Sequence, residues 1–139
     1  MSTSEQQTQI TQAVMALLDE WQLGVDEMQQ LLLLPSNVRA RAFQKFRDGH
    51  EAFPDEENTL RRANYLLRIA DALRTTYPRN PKMAGQWVKM RHRRFRNRTP
   101  LQMIFEGGEM GLVAVLSELD CTFSWDMTGS KATTYTPQR

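Results

Sequence analysis

Cysteine is almost missing from this chain: 139 residues hold one, Cys121. A lone thiol closes no intramolecular disulfide and builds no structural zinc site, which excludes a disulfide scaffold and a zinc ribbon. Long apolar runs are missing too. The longest strongly apolar stretch, Leu31 to Leu34, is far short of the roughly 18–20 residues of a membrane span. The opening Met-Ser-Thr-Ser-Glu-Gln-Gln has neither the basic nor the apolar region of a secretory leader. A cytoplasmic location with no membrane partner is therefore expected. Histidine is scarce: His50 and His92 have no ligand partner at helical spacing, and no metal is expected. Gly107-Gly108-Glu109-Met110-Gly111 lacks the lysine and the preceding strand of a phosphate loop, and reads as a junction between helices. The paired carboxylates Asp19-Glu20 and Glu56-Glu57 fall at helix ends or on solvated faces. No catalytic constellation and no cofactor site emerge, and a non-enzymatic role is expected.

What is present is an ordinary globular composition, 40% hydrophobic and 24% charged, enough for one domain or two small ones sharing a core. The charge is unevenly placed. From Arg79 to Arg98 there are eight basic residues (Arg79, Lys82, Lys89, Arg91, Arg93, Arg94, Arg96, Arg98) and no acidic ones, leaving 10 basic and 16 acidic elsewhere. A net charge of +2 thus hides one cationic segment on a body of −6. Such a segment must meet solvent, an acidic partner or phosphate.

The apolar spacing is helical throughout and predicts an all-α protein. Ile10, Val14, Leu17, Leu18 and Trp21 mark one helix face, ended by Gly24. Met28, Leu31 and Leu32 form a short helix stopped at Pro35. Ser36 is the expected N-cap of a third helix closing at Gly49. Pro54-Asp-Glu-Glu reads as the first turn of a longer helix carrying Leu60, Ala63, Leu66, Leu67, Ala70, Leu73 and Tyr77. A short helix follows from about Pro81 to Met90, then a loop from Arg91 to Arg98. Thr99-Pro100-Leu101-Gln102 is a capping box with proline at the first helical position, where its missing N–H is harmless. A last helix runs from about Glu109 to Leu119, and Cys121 to Arg139 is expected to be an extended tail.

Two features could carry function. The helices near residues 25–33 and 37–48 suggest a helix-turn-helix. Its second helix would place Asn37, Arg39, Arg41 and Gln44 toward base edges, with Lys45 and Arg47 on phosphates; the alternative is an ordinary solvated face. The second feature is the Arg79–Arg98 segment. Trp87 and Phe95 there would stack on bases if the ligand were single-stranded, and large aromatics at such spacing more often bury in the core.

From Trp87 the chain reads Trp-Val-Lys-Met-Arg-His-Arg-Arg-Phe-Arg-Asn-Arg-Thr-Pro-Leu. Eight positions from tryptophan to an aromatic, then four to Thr-Pro-Leu, resembles the toxin-binding domain of Xre/MbcA/ParS-type antitoxins. Leu60 to Tyr77 resembles the family's long helix, and Phe46-Arg47-Asp48-Gly49 the close of its helix-turn-helix. The likeness covers about residues 20–120. Two departures stand out: Arg91-His92 replaces the family's usual Pro-Asn, and Asn97 replaces a glycine, a swap that tolerates a left-handed backbone.

The resemblance implies a cytoplasmic bacterial antitoxin, usually dimeric, that binds and blocks a RES-domain-type NAD-degrading toxin. It also implies, for many members, repression of their own operon through operator DNA. It would divide the chain into a helix-turn-helix-like half (1–77), a toxin-binding half (78–120) and a tail (121–139). Trp87, Arg91, Arg93, Arg94, Phe95 and Arg96 would face the toxin. Trp125, Tyr135 and Arg139 would anchor the tail in a nucleotide-shaped cleft. The rival readings are a stand-alone transcriptional regulator and an adaptor that binds no DNA.

Overall fold

The structure is a computed structural model that describes the backbone of residues 3–128 and the side chains of residues 4–120. Seven α-helices follow one another among these residues: α1 (Thr3–Glu20), α2 (Val25–Leu32), α3 (Ala40–Asp48), α4 (Glu57–Thr76), α5 (Pro81–Trp87), α6 (Pro100–Gly107) and α7 (Glu109–Thr128). A 3-10 turn at Arg93–Phe95 interrupts the link between α5 and α6. The described residues contain no strand, only an isolated bridge between His92 and Arg98. The all-α expectation holds.

Helix α4 is the axis of the molecule, packing against α7, α1, α2 and α5. Its sequence explains this. Ala63, Leu66, Ile69, Ala70 and Leu73 are buried and recur every three or four residues, which makes one continuous stripe. Val14 and Leu18 of α1 and Trp21 just after it join the same core, as do Leu112, Val115, Leu116 and Leu119 of α7. Each such side chain, fully buried, stabilises the fold by about 1.5–3 kcal/mol before entropy is counted. Of the Leu31–Leu34 run, Leu31, Leu32 and Leu34 enter the core and Leu33 alone faces solvent.

Four boundaries differ from those the sequence suggests, each for an identifiable reason. Helix α1 ends at Glu20, with Gln22 left-handed at φ 63°, and Gly24 instead opens α2 with its N–H donated to Glu27 Oε1 at 2.9 Å. Ser36 caps nothing: α3 starts at Ala40 after an extended Arg39. The Gln29 side-chain amide donates to the carbonyls of Ser36 and Val38, which holds the connector out of helical geometry. Pro54 is not in a first turn. Phe53 is buried and donates its N–H to Thr11 Oγ1 at 2.9 Å, so the chain crosses α1 before α4 begins at Glu57. Finally, α7 runs on to Thr128, where an extended tail was expected from Cys121. Between Leu112 and Thr128 there is no glycine or proline to stop it; Gly129 is the next breaker. Residues 129–139 lie outside the described region.

Candidate functional site

The cationic segment is built on three rings. Asn80 caps α5 by accepting from Met83 N–H at 3.1 Å, and Pro81 starts the helix. The helix ends at Trp87, which is buried together with Val88. The His92 ring lies 4.8 Å from the Trp87 ring, and its Nε2 is 3.1 Å from the Trp87 carbonyl. Phe95 meets Trp87 edge-on at 6.4 Å and His92 edge-on at 6.0 Å. These centroid distances are those of favourable aromatic pairs.

Over this base the backbone closes on itself. His92 N–H donates to Arg98 O at 3.1 Å, and Asn97 N–H and Phe95 N–H both donate to His92 O at 3.0 Å. Arg96 and Asn97 are consecutively left-handed, at φ 58° and 65°. The Asn97 side chain suits that position, as its type suggests; Arg96 carries the same conformation with no such excuse. Leu101 N–H then donates to Val88 O at 3.1 Å, which docks the start of α6 on the end of α5.

The result is a loop with aromatics inside and guanidiniums outside. Arg94 Nε lies 3.5 Å from Glu118 of α7, and Arg98 reaches Glu106 of α6 at 2.7 Å. Lys89 donates to the Gln22 side chain. Arg91, Arg93 and Arg96 are exposed and enter none of the ion pairs among the described residues. The set expected to face a partner therefore divides. Trp87 and Phe95, at 7% and 6% exposure, offer almost no surface to a partner; burial under their own loop makes them its foundation, and it removes them as stacking platforms for bases. Trp125 lies on α7 with its side chain outside the described region, as are Tyr135 and Arg139 altogether.

The residues expected to read DNA also divide. Asn37 is exposed in the connector and Arg39 at the start of α3. Arg41, Gln44 and Lys45 form an exposed stripe on α3, where Gln44 donates to Asp48 Oδ1 at 3.0 Å. Arg47 is committed elsewhere: its Nε and a terminal nitrogen donate to the two oxygens of Asp19 at 2.8 and 2.9 Å. That hydrogen bond to Asp19, partly offset by desolvation, holds the Arg47 guanidinium above its ordinary pKa. The connector between α2 and α3 covers residues 33–39, longer than the roughly 3–4 residues of a helix-turn-helix turn.

Three stabilising contacts around the site have no local signature in the sequence. Arg61 Nε pairs with Glu109 at 3.0 Å, and this bond chiefly raises the pKa of Arg61. Arg62 donates to Leu31 O at 3.1 Å, and buried Thr59 to Leu32 O at 2.8 Å. They tie α4 to α7 and α2 across 27 to 48 positions of sequence, a range no spacing rule reaches. An open groove of about 890 Å³ between α1, α4 and α5 is lined by Ala13, Leu17, Trp21, Leu67, Tyr77 and Ala84, among others. Among the described residues no group of three His, Cys, Asp or Glu could hold a metal ion, and no helix is long and apolar enough to cross a membrane.

Residues 72–122 match the family model of the antitoxin Xre/MbcA/ParS C-terminal toxin-binding domain. The matched segment takes in the end of α4, α5, the closed basic loop, α6 and most of α7. No curated protein and no solved structure matches the chain.

Proposed function

We propose that this protein neutralises a RES-domain-type, NAD-degrading toxin by direct binding, a reading supported by the match of residues 72–122 to the toxin-binding domain of Xre/MbcA/ParS antitoxins. The observation that carries this reading is the reach of the match: it contains all eight cations of the basic segment and the loop in which three of them enter no ion pair among the described residues. The protein acts by occlusion and performs no chemistry. Residues 78–120 supply the docking face. The end of α7 with Trp125, and Tyr135 and Arg139 beyond it, enter the toxin's nucleotide cleft, the aromatics acting as anchors. Homodimerisation belongs to the same reading, and sedimentation of the purified chain tests it.

The test is recovery of partners by the tagged chain from its native host, using the full length and a form ending at Asp120. The reading expects a near-stoichiometric enzyme that consumes NAD and is inhibited by the purified chain. Weaker inhibition by the form ending at Asp120 would assign the block to the tail. If no NAD-consuming partner is recovered, or if the chain fails to inhibit it, the reading falls.

A second reading, operator binding through α3, is favoured by the exposed Arg41, Gln44 and Lys45 stripe. It expects that Arg41→Ala with Lys45→Ala weakens binding to the chain's own promoter DNA and flattens its salt dependence by about one unit per lost phosphate contact.

A further inference from the structure

The basic loop combines two properties that seldom occur together, high charge and rigidity. Five backbone hydrogen bonds close residues 92–98, and the buried Phe95 and half-buried His92 pin the loop to Trp87. Glu106 and Glu118 neutralise Arg98 and Arg94, the two arginines turned back toward α6 and α7. Arg91, Arg93 and Arg96 are left exposed without an ion pair among the described residues. Outside residues 79–98 the chain carries −6, so this loop is a concentration of positive charge on a chain that is otherwise net acidic.

We propose that Arg91, Arg93 and Arg96 form a preorganised cationic clamp that steers the chain onto an acidic patch of its protein toxin. The proposal rests on the toxin-binding reading and adds the chemistry of the toxin's own surface. Nucleic acid fits the spot less well. Specific duplex binders commonly neutralise about 6–10 phosphates, and the loop offers three arginines with no ion pair among the described residues, with exposed Arg79 and Lys82 at the far end of α5. The aromatics that would stack on single-stranded bases are buried. A protein partner needs less from the charges, because the apolar contacts of the surrounding helices supply affinity while the guanidiniums supply orientation and encounter rate. A loop already held in shape loses little entropy on docking. Arginine suits the role because its planar fork engages carboxylates two at a time.

The experiment measures association and dissociation rates between the full chain and the NAD-consuming partner that the tagged chain recovers, from low to high salt. Three forms are compared: wild type, R91E/R93E, and R91K/R93K, with thermal melts confirming that each is folded. Arg96 is left unchanged because its left-handed backbone makes it a poor site for a clean charge swap. The proposal expects the wild-type association rate to fall steeply with salt. It expects R91E/R93E to associate about tenfold or more slowly at low salt with little change in dissociation, and R91K/R93K to stay near wild type in rate and salt slope. Equal association rates and equal salt slopes for wild type and R91E/R93E overturn it, while inhibition by wild type would leave the toxin-binding reading standing. Loss of duplex DNA binding by R91E/R93E with unchanged toxin association also overturns it, in favour of phosphate. A wild-type chain that does not inhibit the enzyme removes the reading and the proposal with it.

Discussion

An L-residue in the left-handed region costs about 1–2 kcal/mol, and this chain accepts that cost at Gln22, Leu33, Arg96 and Asn97. The first two share a reason with Gly49. Helices α1, α2 and α3 all end with an N–H donated back five residues, Leu23 to Leu18 O, Leu34 to Gln29 O and His50 to Lys45 O, at 3.0 to 3.1 Å. Only α3 uses glycine at the left-handed position. Leu33 is 47% exposed, so its side chain contributes little there. Leu33→Gly is therefore expected to raise stability by about 0.5–1 kcal/mol, relief of strain exceeding the added chain entropy; a thermal melt reads this as a higher midpoint. The three glycines near residue 110 behave unlike one another. A Cβ on Gly111 would lie 2.0 Å from Met103 O and 2.9 Å from Ile104 Cα, both backbone, whereas one on Gly107 meets nothing within 4 Å. Gly111→Ala must push α6 off α7 and is expected to cost about 3 kcal/mol. Gly107→Ala should be neutral or stabilising by about 0.5–1 kcal/mol. Denaturant titration of the two variants separates them. The junction itself was legible from its glycines. Which glycine serves the turn and which the helix contact was not, because that depends on how α6 and α7 cross.

The start of α6, set by neighbouring residues, was read correctly, and the starts of α3 and α4, held by distant ones, were not. The α6 cap needs only Thr99, Pro100 and Gln102. Gln102 N–H donates to Thr99 Oγ1 at 3.0 Å, and Thr99 N–H to Gln102 Oε1 at 2.8 Å. Thr99→Ala removes the first of these bonds and should cost about 1 kcal/mol. It should also loosen the basic loop that enters α6, so amides of residues 96–103 should exchange faster with solvent. The starts of α3 and α4 could not be read the same way. Gln29 and Thr11, which hold the preceding segments, lie 9 and 42 positions from the backbone groups they bind. The Arg47–Asp19 pair shows the same limit. Arg47 looks like a phosphate ligand on its own helix, but α1 places a carboxylate 2.8 Å away. That pair joins α3 to α1 with Arg47 about a third exposed, so Asp19→Ala should cost no more than about 1 kcal/mol. The freed arginine should then raise affinity for DNA if α3 is the reading helix; unchanged DNA affinity would count against α3.

On the scale of the whole molecule, what was legible was what is local: the 3.6-residue period that made every element a helix, and the charge run that made one surface basic. What was not legible was that α4 packs against helices from both ends of the chain, α1 and α2 on one side of it in sequence and α5 and α7 on the other. The matched toxin-binding segment begins at residue 72, inside the last turns of α4, yet α7 packs along α4, whose buried Ala63, Leu66 and Ile69 lie upstream of that start. Cutting there would strip Leu112, Val115 and Leu119 of part of their cover, and a fully buried side chain of this size is worth about 1.5–3 kcal/mol, so the loss is a large fraction of the roughly 5–15 kcal/mol by which whole domains are stable. A fragment of residues 72–139 is therefore expected to show weak helical circular dichroism and no cooperative melt, and to bind the proposed toxin partner far more weakly than the full chain. A fragment of residues 57–139, with α4 restored, should recover helical signal and part of the affinity. If residues 72–139 instead melt cooperatively and bind as tightly as the full chain, the packing on α4 is dispensable, and the N-terminal helices must be explained by DNA binding or self-association rather than by support of the proposed docking surface.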